Sequence, residues 1–183
     1  MADRPRRADA RRNYELVLSA ARDVFDELGV NAPLDEVARR AGVGNATMYR
    51  HFPTRGDMVI AVYAEEVTAL GELGRTLLDD PAPVDALFSW LRAFVGHVST
   101  KSQLPLAIPD DEAGGRSELY REWHETMRTA AADLLRRAQR AGAVDPGLDL
   151  ADLLAATGGV ARAATDAPQA DRLLAIIRAG ISR

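Results

Sequence analysis

Apolar residues recur along this chain at the three- and four-residue spacing of amphipathic helices, and no stretch alternates as a β-strand does. The spacing predicts helices over the following residues: 13–28, 34–41, 45–52, 54–78, 84–99, 117–141, 150–165 and 168–181. Proline and glycine interrupt residues 101–115, which predicts a short helix and a loop there. The pattern therefore predicts an all-α protein of about nine helices.

A tight turn joins the second and third predicted helices, within the stretch LDEVARRAGVGNATMYRHFPTRGD at residues 34–57. Gly42 directly follows an apolar stripe, where the end of a helix favours a residue that tolerates positive φ. In the next helix Met48 and Phe52 are four residues apart and are predicted to face inward. These features predict a helix-turn-helix, whose second helix is a candidate for the DNA major groove.

The helices on either side are predicted to complete this unit. The helix over residues 13–28 has an apolar stripe that is predicted to be buried and consists of Tyr14, Val17, Leu18, Ala21, Phe25 and Leu28. Thr54 and Asp57 have the spacing of a capping box, which predicts the start of the long helix that follows. That helix is apolar on two sides, which is typical of a connector that packs against two bodies.

The outward face of the third predicted helix carries the residue types that bind DNA. Exposed threonine, tyrosine and histidine donate hydrogen bonds to phosphates, and arginine can read a guanine edge with two hydrogen bonds. The residues predicted to face outward are Ala46, Thr47, Tyr49, Arg50 and His51. The spacing alone leaves open a structural pair of helices unrelated to DNA, but this cluster favours DNA binding.

The composition excludes several classes of protein. The 183 residues are 47% hydrophobic, as in a globular protein, and they include no cysteine, which excludes disulfides, thiolate metal sites and a catalytic thiol. His97 has no second metal ligand three or four residues away, so we expect no metal and no cofactor. No apolar run approaches the length of a membrane span, so we expect a cytoplasmic protein with no membrane partner.

The net charge of −4 is unevenly distributed along the chain. Residues 1–55 carry ten basic and eight acidic side chains, a net charge of +2, whereas the rest carries thirteen basic and nineteen acidic ones, a net charge of −6. Local basic surface is what a DNA contact needs. Residues 1–11 form a basic arm without an apolar face, which is either a solvated chain end or an arm that contacts DNA; its charge favours contact.

The helix-turn-helix stretch also resembles a known family. The pattern AxxAGVxxxTxYRHFPxRxDM and the preceding VLSAARDVFDELGV are similar to the tetracycline-repressor (TetR) family of one-component transcriptional regulators. The similarity covers roughly residues 12–62. Pro33 and Gly44 depart from it, since the family has hydroxyl side chains there that cap the two helices.

The resemblance implies a domain organisation and a set of DNA contacts. It implies a DNA-binding domain of three helices at residues 1–55 and a helical domain for ligand binding and dimerisation at residues 56–183. The side chains implied to contact phosphates of double-stranded DNA are those of Thr47, Tyr49, His51 and Arg55. Asn45, Ala46 and Arg50 are better placed for bases.

A second candidate set contains both tryptophans of the chain. Trp90, Phe94 and His97 share one face of the helix over residues 84–99, and Trp123 and Met127 share one face of a later helix. These residues alone are compatible with a plain hydrophobic core. The resemblance implies that the same helices enclose a small-molecule pocket, so we expect a mainly apolar ligand near these side chains.

The last two predicted helices carry apolar stripes, which consist of Leu150, Leu153, Leu154, Gly158 and Ala161 and of Leu173, Leu174, Ile177 and Ile181. Packing within one chain would account for such stripes, and the resemblance implies a homodimer interface. Helix-turn-helix proteins read paired half-sites, so a homodimer on a pseudo-palindromic operator is expected.

The expected function is that of a DNA-binding transcriptional regulator, a repressor that a small ligand releases from its operator. A small helical enzyme is one alternative, but the chain has three histidines, no cysteine and no HExxH or GxSxG motif. A ligand-free architectural DNA-binding protein is the other alternative. A filled core around Trp90 and Trp123 would favour that alternative.

Overall fold

The computed structural model describes residues 3–101 and 115–182, and in this part of the chain it contains eight α-helices. The helices are α1 (Asp3–Leu28), α2 (Leu34–Ala41), α3 (Asn45–His51), α4 (Arg55–Leu77), α5 (Pro83–Lys101), α6 (Gly115–Arg140), α7 (Leu150–Ala163) and α8 (Ala167–Ile181). The predicted all-α fold is confirmed. The short helix predicted in addition lies outside the described residues.

The first helix begins earlier than its apolar stripe indicated. α1 starts at Asp3 rather than at residue 13, so the predicted basic arm is helical over its described part. Pro5 lies in the first turn, where its missing N–H has no helical partner to lose. Further along, Arg11 Nε donates to Glu15 Oε1 at 2.9 Å across one helical turn. The helix extends from its packed part without needing an apolar face.

The chain divides into two compact units, and the division falls within α4. The first unit contains the described residues up to Glu65 and residues 115–116, and the second contains residues 66–101 and 117–182. α4 is apolar on more than one side, as predicted: its buried residues are Met58, Val59, Val62, Tyr63, Val67 and Leu70. None of the described helices combines the length and apolarity of a membrane span.

In the first unit, α1 packs against both α2 and α3. The core residues contributed by α1 are Val17, Leu18, Ala20, Ala21, Val24 and Phe25. Two predictions for this stripe are wrong, because Tyr14 is 37% exposed and Leu28 is 55% exposed. Leu28 is the last residue of α1, and Tyr14 stacks on Phe52 with ring centroids 5.0 Å apart.

In the second unit, α5 packs against α7 and α8. Two ion pairs join α5 to α8 at sites two turns apart: Arg92 Nε contacts Asp171 Oδ1 at 2.6 Å, and Arg178 Nη2 contacts Asp85 Oδ1 at 2.6 Å. The Arg178 guanidinium also lies 5.6 Å from the centroid of the Phe88 ring. These contacts hold α8 against α5 in an antiparallel direction.

Candidate nucleic-acid interface

The turn between α2 and α3 has the glycine geometry predicted from the sequence. Gly42 has a φ of 67° and its N–H lies against the carbonyl oxygens of Ala38 and Arg39. The next N–H, that of Val43, donates to Ala38 O at 3.1 Å. A side chain at Gly42 would be strained by this left-handed backbone, so the turn favours glycine at this position.

α3 presents one buried face and one outward face. Met48 is fully buried and Phe52, just after the helix, is 2% exposed, which confirms the predicted inward pair. Tyr49 is 44% exposed. The other exposed side chains of the candidate set are those of Asn45, Ala46 and Arg50, whereas Thr47 and His51 are half-buried. The outward face therefore offers a hydroxyl group, an amide and a guanidinium to a partner.

Neither helix of the pair is capped by a side chain at its start. Pro33 precedes α2 and Gly44 precedes α3, and neither makes a side-chain capping hydrogen bond. α2 instead has Asp35 and Glu36 in its first turn, where negative charge favours the helix dipole. Pro33 and Gly44 therefore provide no hydroxyl group at the start of either helix.

His51 lies between the outward face and the core. Its ring meets Tyr14 edge to face, with centroids 6.0 Å apart and planes at 73°. Its Nε2 is buried and has no hydrogen-bond partner among the described residues. The packing against Tyr14 restricts the ring orientation, which leaves the predicted phosphate contact dependent on the other ring nitrogen.

Arg55, the first residue of α4, holds the loop between α1 and α2. Its Nη1 donates to the carbonyl oxygens of Val30 and Ala32, both at 2.7 Å. The sequence pattern gave no sign of this role, because the loop carbonyls are distant in the chain. The phosphate contact of Arg55 stays a prediction. It would have to be made by the N–H groups of the guanidinium other than those of Nη1.

A cluster of charges joins α1 to α2. Arg40 Nη2 contacts Glu27 Oε2 at 2.8 Å, and Arg40 Nε donates to Glu36 Oε1 at 2.8 Å. Arg39 donates to both oxygens of Glu36, at 2.7 and 2.6 Å. The hydrogen bonds from Arg39 and then Arg40 lower the pKa of Glu36 from 4.5 to about 2. The hydrogen bond from Arg40 likewise lowers the pKa of Glu27.

The predicted capping box at the start of α4 is confirmed. Asp57 Oδ2 accepts the backbone N–H of Thr54 at 2.9 Å, and Thr54 Oγ1 accepts the backbone N–H of Asp57 at 3.1 Å. The hydroxyl of Thr54 also donates to Asp57 Oδ2 at 2.7 Å. This reciprocal pair satisfies the helix start and leaves Arg55 in the first position of α4.

The second candidate set is largely buried in the second unit. Trp90 is fully buried and its ring stacks on that of Phe94, with centroids 5.4 Å apart and planes at 11°. Trp123 and Met127, one turn apart on α6, are 7% and 6% exposed. His97 is buried as well, and its Nδ1 lies 3.2 Å from Glu66 Oε2. The described residues contain no cluster of potential metal ligands.

A cleft of about 860 Å³ lies between α4 and α6, and sequence reasoning missed it. The two helices approach closely at Gly74, where an added Cβ would lie 2.7 Å from that of Ala130. The lining residues are Thr68, Gly71, Gly74, Arg75, Leu78, Arg121, Glu122, Glu125, Thr126, Thr129, Ala130 and Asp133. None of the five predicted ligand-binding residues belongs to this lining. The small residues spaced along α4 and α6 are the feature of the sequence that could have indicated the close approach of these helices.

The stripes predicted for α7 and α8 are partly turned inward. Leu153, Gly158, Ala161 and Leu174 are buried within a single copy of the chain, so their placement in an interface between copies is wrong. Ser99 Oγ donates to Ala161 O at 3.1 Å, which ties this part of α7 to α5. An adjoining apolar face of α8, which shares Leu173 and Ile177 with the predicted stripe, is exposed or half-buried and consists of Leu173, Ile176, Ile177 and Gly180.

The turn, the outward face of α3 and the supporting α1 define a helix-turn-helix DNA-binding protein. The sequence profile described as "Bacterial regulatory proteins, tetR family" matches residues 17–62. The profile described as "Transcriptional regulator SbtR-like, C-terminal domain" matches residues 82–183. Together the two profiles extend over both compact units.

Solved structures give the same result over nearly the whole chain. A TetR transcriptional regulator from Streptomyces coelicolor is 32% identical, with a TM-score of 0.77 over 92% of this chain and 98% of that one. A TetR regulatory protein from Mycobacterium vanbaalenii is 32% identical, with a TM-score of 0.75 over 97% and 99% of the two chains. The chain therefore belongs to the TetR family of transcriptional regulators.

The curated relatives match in the DNA-binding part. An HTH-type transcriptional regulator of Staphylococcus aureus (strain USA300) is 34% identical over 62 residues, which are 33% of this chain and 34% of that protein. The chain thus matches about one third of the length of these relatives. All these relatives are named as regulators of transcription, so the alternative of a helical enzyme is set aside.

Proposed function

We propose that this protein is a homodimeric repressor that binds a pseudo-palindromic operator and is released by a small, mainly apolar ligand. The observation that carries the proposal is the outward face of α3, which presents Tyr49 and Arg50 to solvent on a helix fixed by Met48 and Phe52. A rigid helix with exposed donors is what major-groove recognition requires.

The exposed residues divide into two roles. Asn45, Ala46 and Arg50 would read bases, since the first turns of a recognition helix reach the base edges. The residues that would contact phosphates are Thr47, Tyr49, His51 and Arg55. Such contacts position the helix on the duplex without carrying sequence information. Arg39 and Arg40 form ion pairs with a carboxylate of the same unit, so we assign them to stabilising the fold rather than to contacting DNA.

The outward apolar face of α8 supports the homodimer. Leu173, Ile176, Ile177 and Gly180 follow the i, i+3, i+4, i+7 spacing, and Ile176 is 67% exposed in a single copy. α7 adds small exposed residues, Ala155 and Ala156. A self-complementary apolar face on one chain is satisfied by a two-fold axis, and two recognition helices then read paired half-sites.

The ligand proposal rests on buried residues of α5 and α6 and on the half-buried Phe94. Trp90, Phe94, Trp123 and Met127 are apolar or aromatic, and the pair of His97 with Glu66 adds polar atoms. A site of this composition suits an apolar or aromatic molecule with one or two hydrogen-bonding groups. The cleft between α4 and α6 is a second location for the ligand, and it adjoins the first, since Gly74 in its lining lies beside Trp90.

Release requires that the ligand bind two states of the protein with different affinities. α4 is a continuous helix whose residues belong to both compact units. A shift of its second half on ligand binding would be transmitted along the helix and would change the spacing of the two recognition helices. By linkage, operator DNA would weaken ligand binding by the same factor.

The test combines operator selection with ligand screening. Duplexes selected from a random pool by the full-length protein give the operator, and fluorescence anisotropy gives its affinity with and without each compound. A paired half-site and a compound that weakens binding support the proposal. Binding that no compound changes would favour an architectural protein, and an operator without paired half-sites would contradict the dimer. Transcription from a reporter behind this operator must fall when the protein is present, since a rise would make it an activator.

The location of the ligand is tested with single-tryptophan proteins. Trp90→Phe leaves Trp123 as the reporter, and Trp123→Phe leaves Trp90, because the chain has two tryptophans. A releasing compound that quenches or shifts the fluorescence of either protein supports a ligand near the tryptophans, either along α5 and α6 or in the adjoining cleft. A compound that releases DNA and leaves both signals unchanged would place the site elsewhere.

A further inference from the structure

A hydrogen bond joins the first turn of α2 to the first residue of α3. Asn45 Nδ2 donates to Asp35 Oδ1 at 3.0 Å, and both side chains are exposed. The two residues lie ten positions apart, on either side of the glycine turn. The bond therefore reaches from one helix of the pair to the residue of α3 proposed to read a base.

The chemistry of the pair determines which way the Asn45 amide faces. An ionised carboxylate only accepts hydrogen bonds, so the nitrogen of the amide must face Asp35 and its oxygen must face away. One N–H of the amide is then donated to Asp35. The carbonyl oxygen and the second N–H remain for a partner.

We propose that Asp35 is a positioning residue that determines the base preference of Asn45. The remaining acceptor and donor of the amide match the N6–H and N7 of adenine, which the pair selects over other bases. The inference rests on the proposed reading of bases by α3 and adds to it a residue outside that helix. Asp35 acts through Asn45, so it requires no contact of its own with DNA.

The residues next to Asn45 and Asp35 contribute little to the orientation of the Asn45 amide. Gly44, which precedes α3, has no side chain that could hold Asn45, and the adjacent carboxylate of Glu36 is engaged by Arg39 and Arg40. Asp35 is thus the carboxylate that orients this side chain. Without it, the amide can rotate and present either its oxygen or its nitrogen to a base, and discrimination falls.

The experiment measures the base preference at each operator position for the full-length protein and its variants. Asp35→Ala removes the acceptor, and Asp35→Asn keeps the size but supplies a donor as well, so it permits both orientations of Asn45. Asn45→Ala identifies the base pair that this residue reads. Asp23→Ala is the matched control, since it removes an exposed carboxylate from α1 of the same unit.

The expected result is confined to one base pair in each half-site. Both Asp35 variants should lower the preference for adenine by about tenfold at the base pair where Asn45→Ala also lowers it. Combining Asp35→Ala with Asn45→Ala should add nothing further, because the two residues act as one. The slope of affinity against salt should stay as in the wild type, since no phosphate contact is lost.

Three outcomes would overturn the inference, and they are distinguishable. If Asn45→Ala changes the preference and the Asp35 variants do not, Asp35 has no positioning role and the proposed function stands. If the Asp35 variants lower the unfolding temperature and weaken all sequences equally, the bond only stabilises the helix pair. A wild-type preference in Asn45→Ala would instead remove Asn45 from the proposed set of base-reading residues.

Discussion

The indole Nε1 of Trp90 donates a hydrogen bond of 2.9 Å to the backbone carbonyl oxygen of Leu70. The bond joins α5 to α4 next to Gly74, where a Cβ would lie 3.4 Å from the same nitrogen. Gly74 also allows α6 to approach through Ala130. Helices α4, α5 and α6 of the second unit therefore meet at Gly74. The indole nitrogen of Trp90, which lies next to this glycine, has its hydrogen-bond partner.

Replacing Trp90 by phenylalanine tests this bond. Trp90→Phe keeps an aromatic ring but loses the donor and part of the volume, so the free energy of unfolding should fall by about 1–3 kcal/mol. Trp90→Ala should lower it by about 3–5 kcal/mol, because it leaves a cavity. Urea unfolding followed by circular dichroism measures both. Equal stability of Trp90→Phe and the wild type would show that the bond contributes nothing.

Gly74→Ala tests the close approach of α4 and α6. The added methyl group would meet Ala130 Cβ at 2.7 Å, so the helices must separate, and we expect a loss of about 1–3 kcal/mol. Gly96→Ala is the control, since no atom lies within 4 Å of the added group and the alanine gains about 1 kcal/mol of helix propensity. Thermal unfolding should move in opposite directions for the two variants. A stabilised Gly74→Ala would contradict the packing.

Arg50→Ala and Tyr49→Ala should both weaken operator binding while the protein stays folded. Arg50→Ala should cost about 1–3 kcal/mol and relax the preference at one base pair, whereas Tyr49→Ala should weaken all sequences alike. Anisotropy titrations against the operator and its single-base variants measure both effects. Arg128→Ala, at an exposed position of α6, is the charge control. Wild-type affinity in Arg50→Ala would remove it from the base-reading set.

Ile176→Glu should separate the proposed dimer. The side chain is 67% exposed in a single copy, so a charge there leaves the fold intact but is costly once a second copy covers it. Ala175→Glu is the control on the same helix, exposed but off the apolar face. Light scattering at micromolar concentration should give the dimer mass for the control and the monomer mass for Ile176→Glu. A wild-type protein at monomer mass would refute the interface.

The carboxylates around Arg40 predict an acid dependence of stability. The pKa of Glu36 is depressed to about 2 in the folded protein, so its contribution is present above its ordinary pKa of 4.5 and is lost as pH falls towards 2. The unfolding temperature should fall over this range, and it should fall less in Glu36→Gln, which cannot titrate. Parallel curves for the two proteins between pH 5 and pH 2.5 would show that Glu36 is not linked to folding.

The parts of the fold that depend on local spacing could be predicted from the sequence. Gly42, the inward pair of Met48 and Phe52, and the box of Thr54 with Asp57 each follow from residues within a few positions of one another. Such features are determined by helical period, glycine conformation and capping. They sufficed to locate the helix-turn-helix and the family resemblance.

The features that depend on distant residues could not be predicted in this way. Arg55 was expected at a phosphate, and its bonds to Val30 and Ala32 depend on how the α1–α2 loop folds back. Ala161 was expected at an interface, and it is buried because α5 covers it. A helical stripe shows that a face is covered but not by which partner. The Asp35–Asn45 bond was likewise not predicted, because it joins two different helices.

The ion pairs between α5 and α8 also restrict the direction in which these helices can associate. Along each helix an aspartate precedes an arginine by seven residues, as Asp85 and Arg92 do on α5 and Asp171 and Arg178 do on α8. With α8 reversed to run parallel, aspartate would face aspartate and arginine would face arginine. The order of charges thus places like charges together at two points in the parallel arrangement and opposite charges together at two points in the native one.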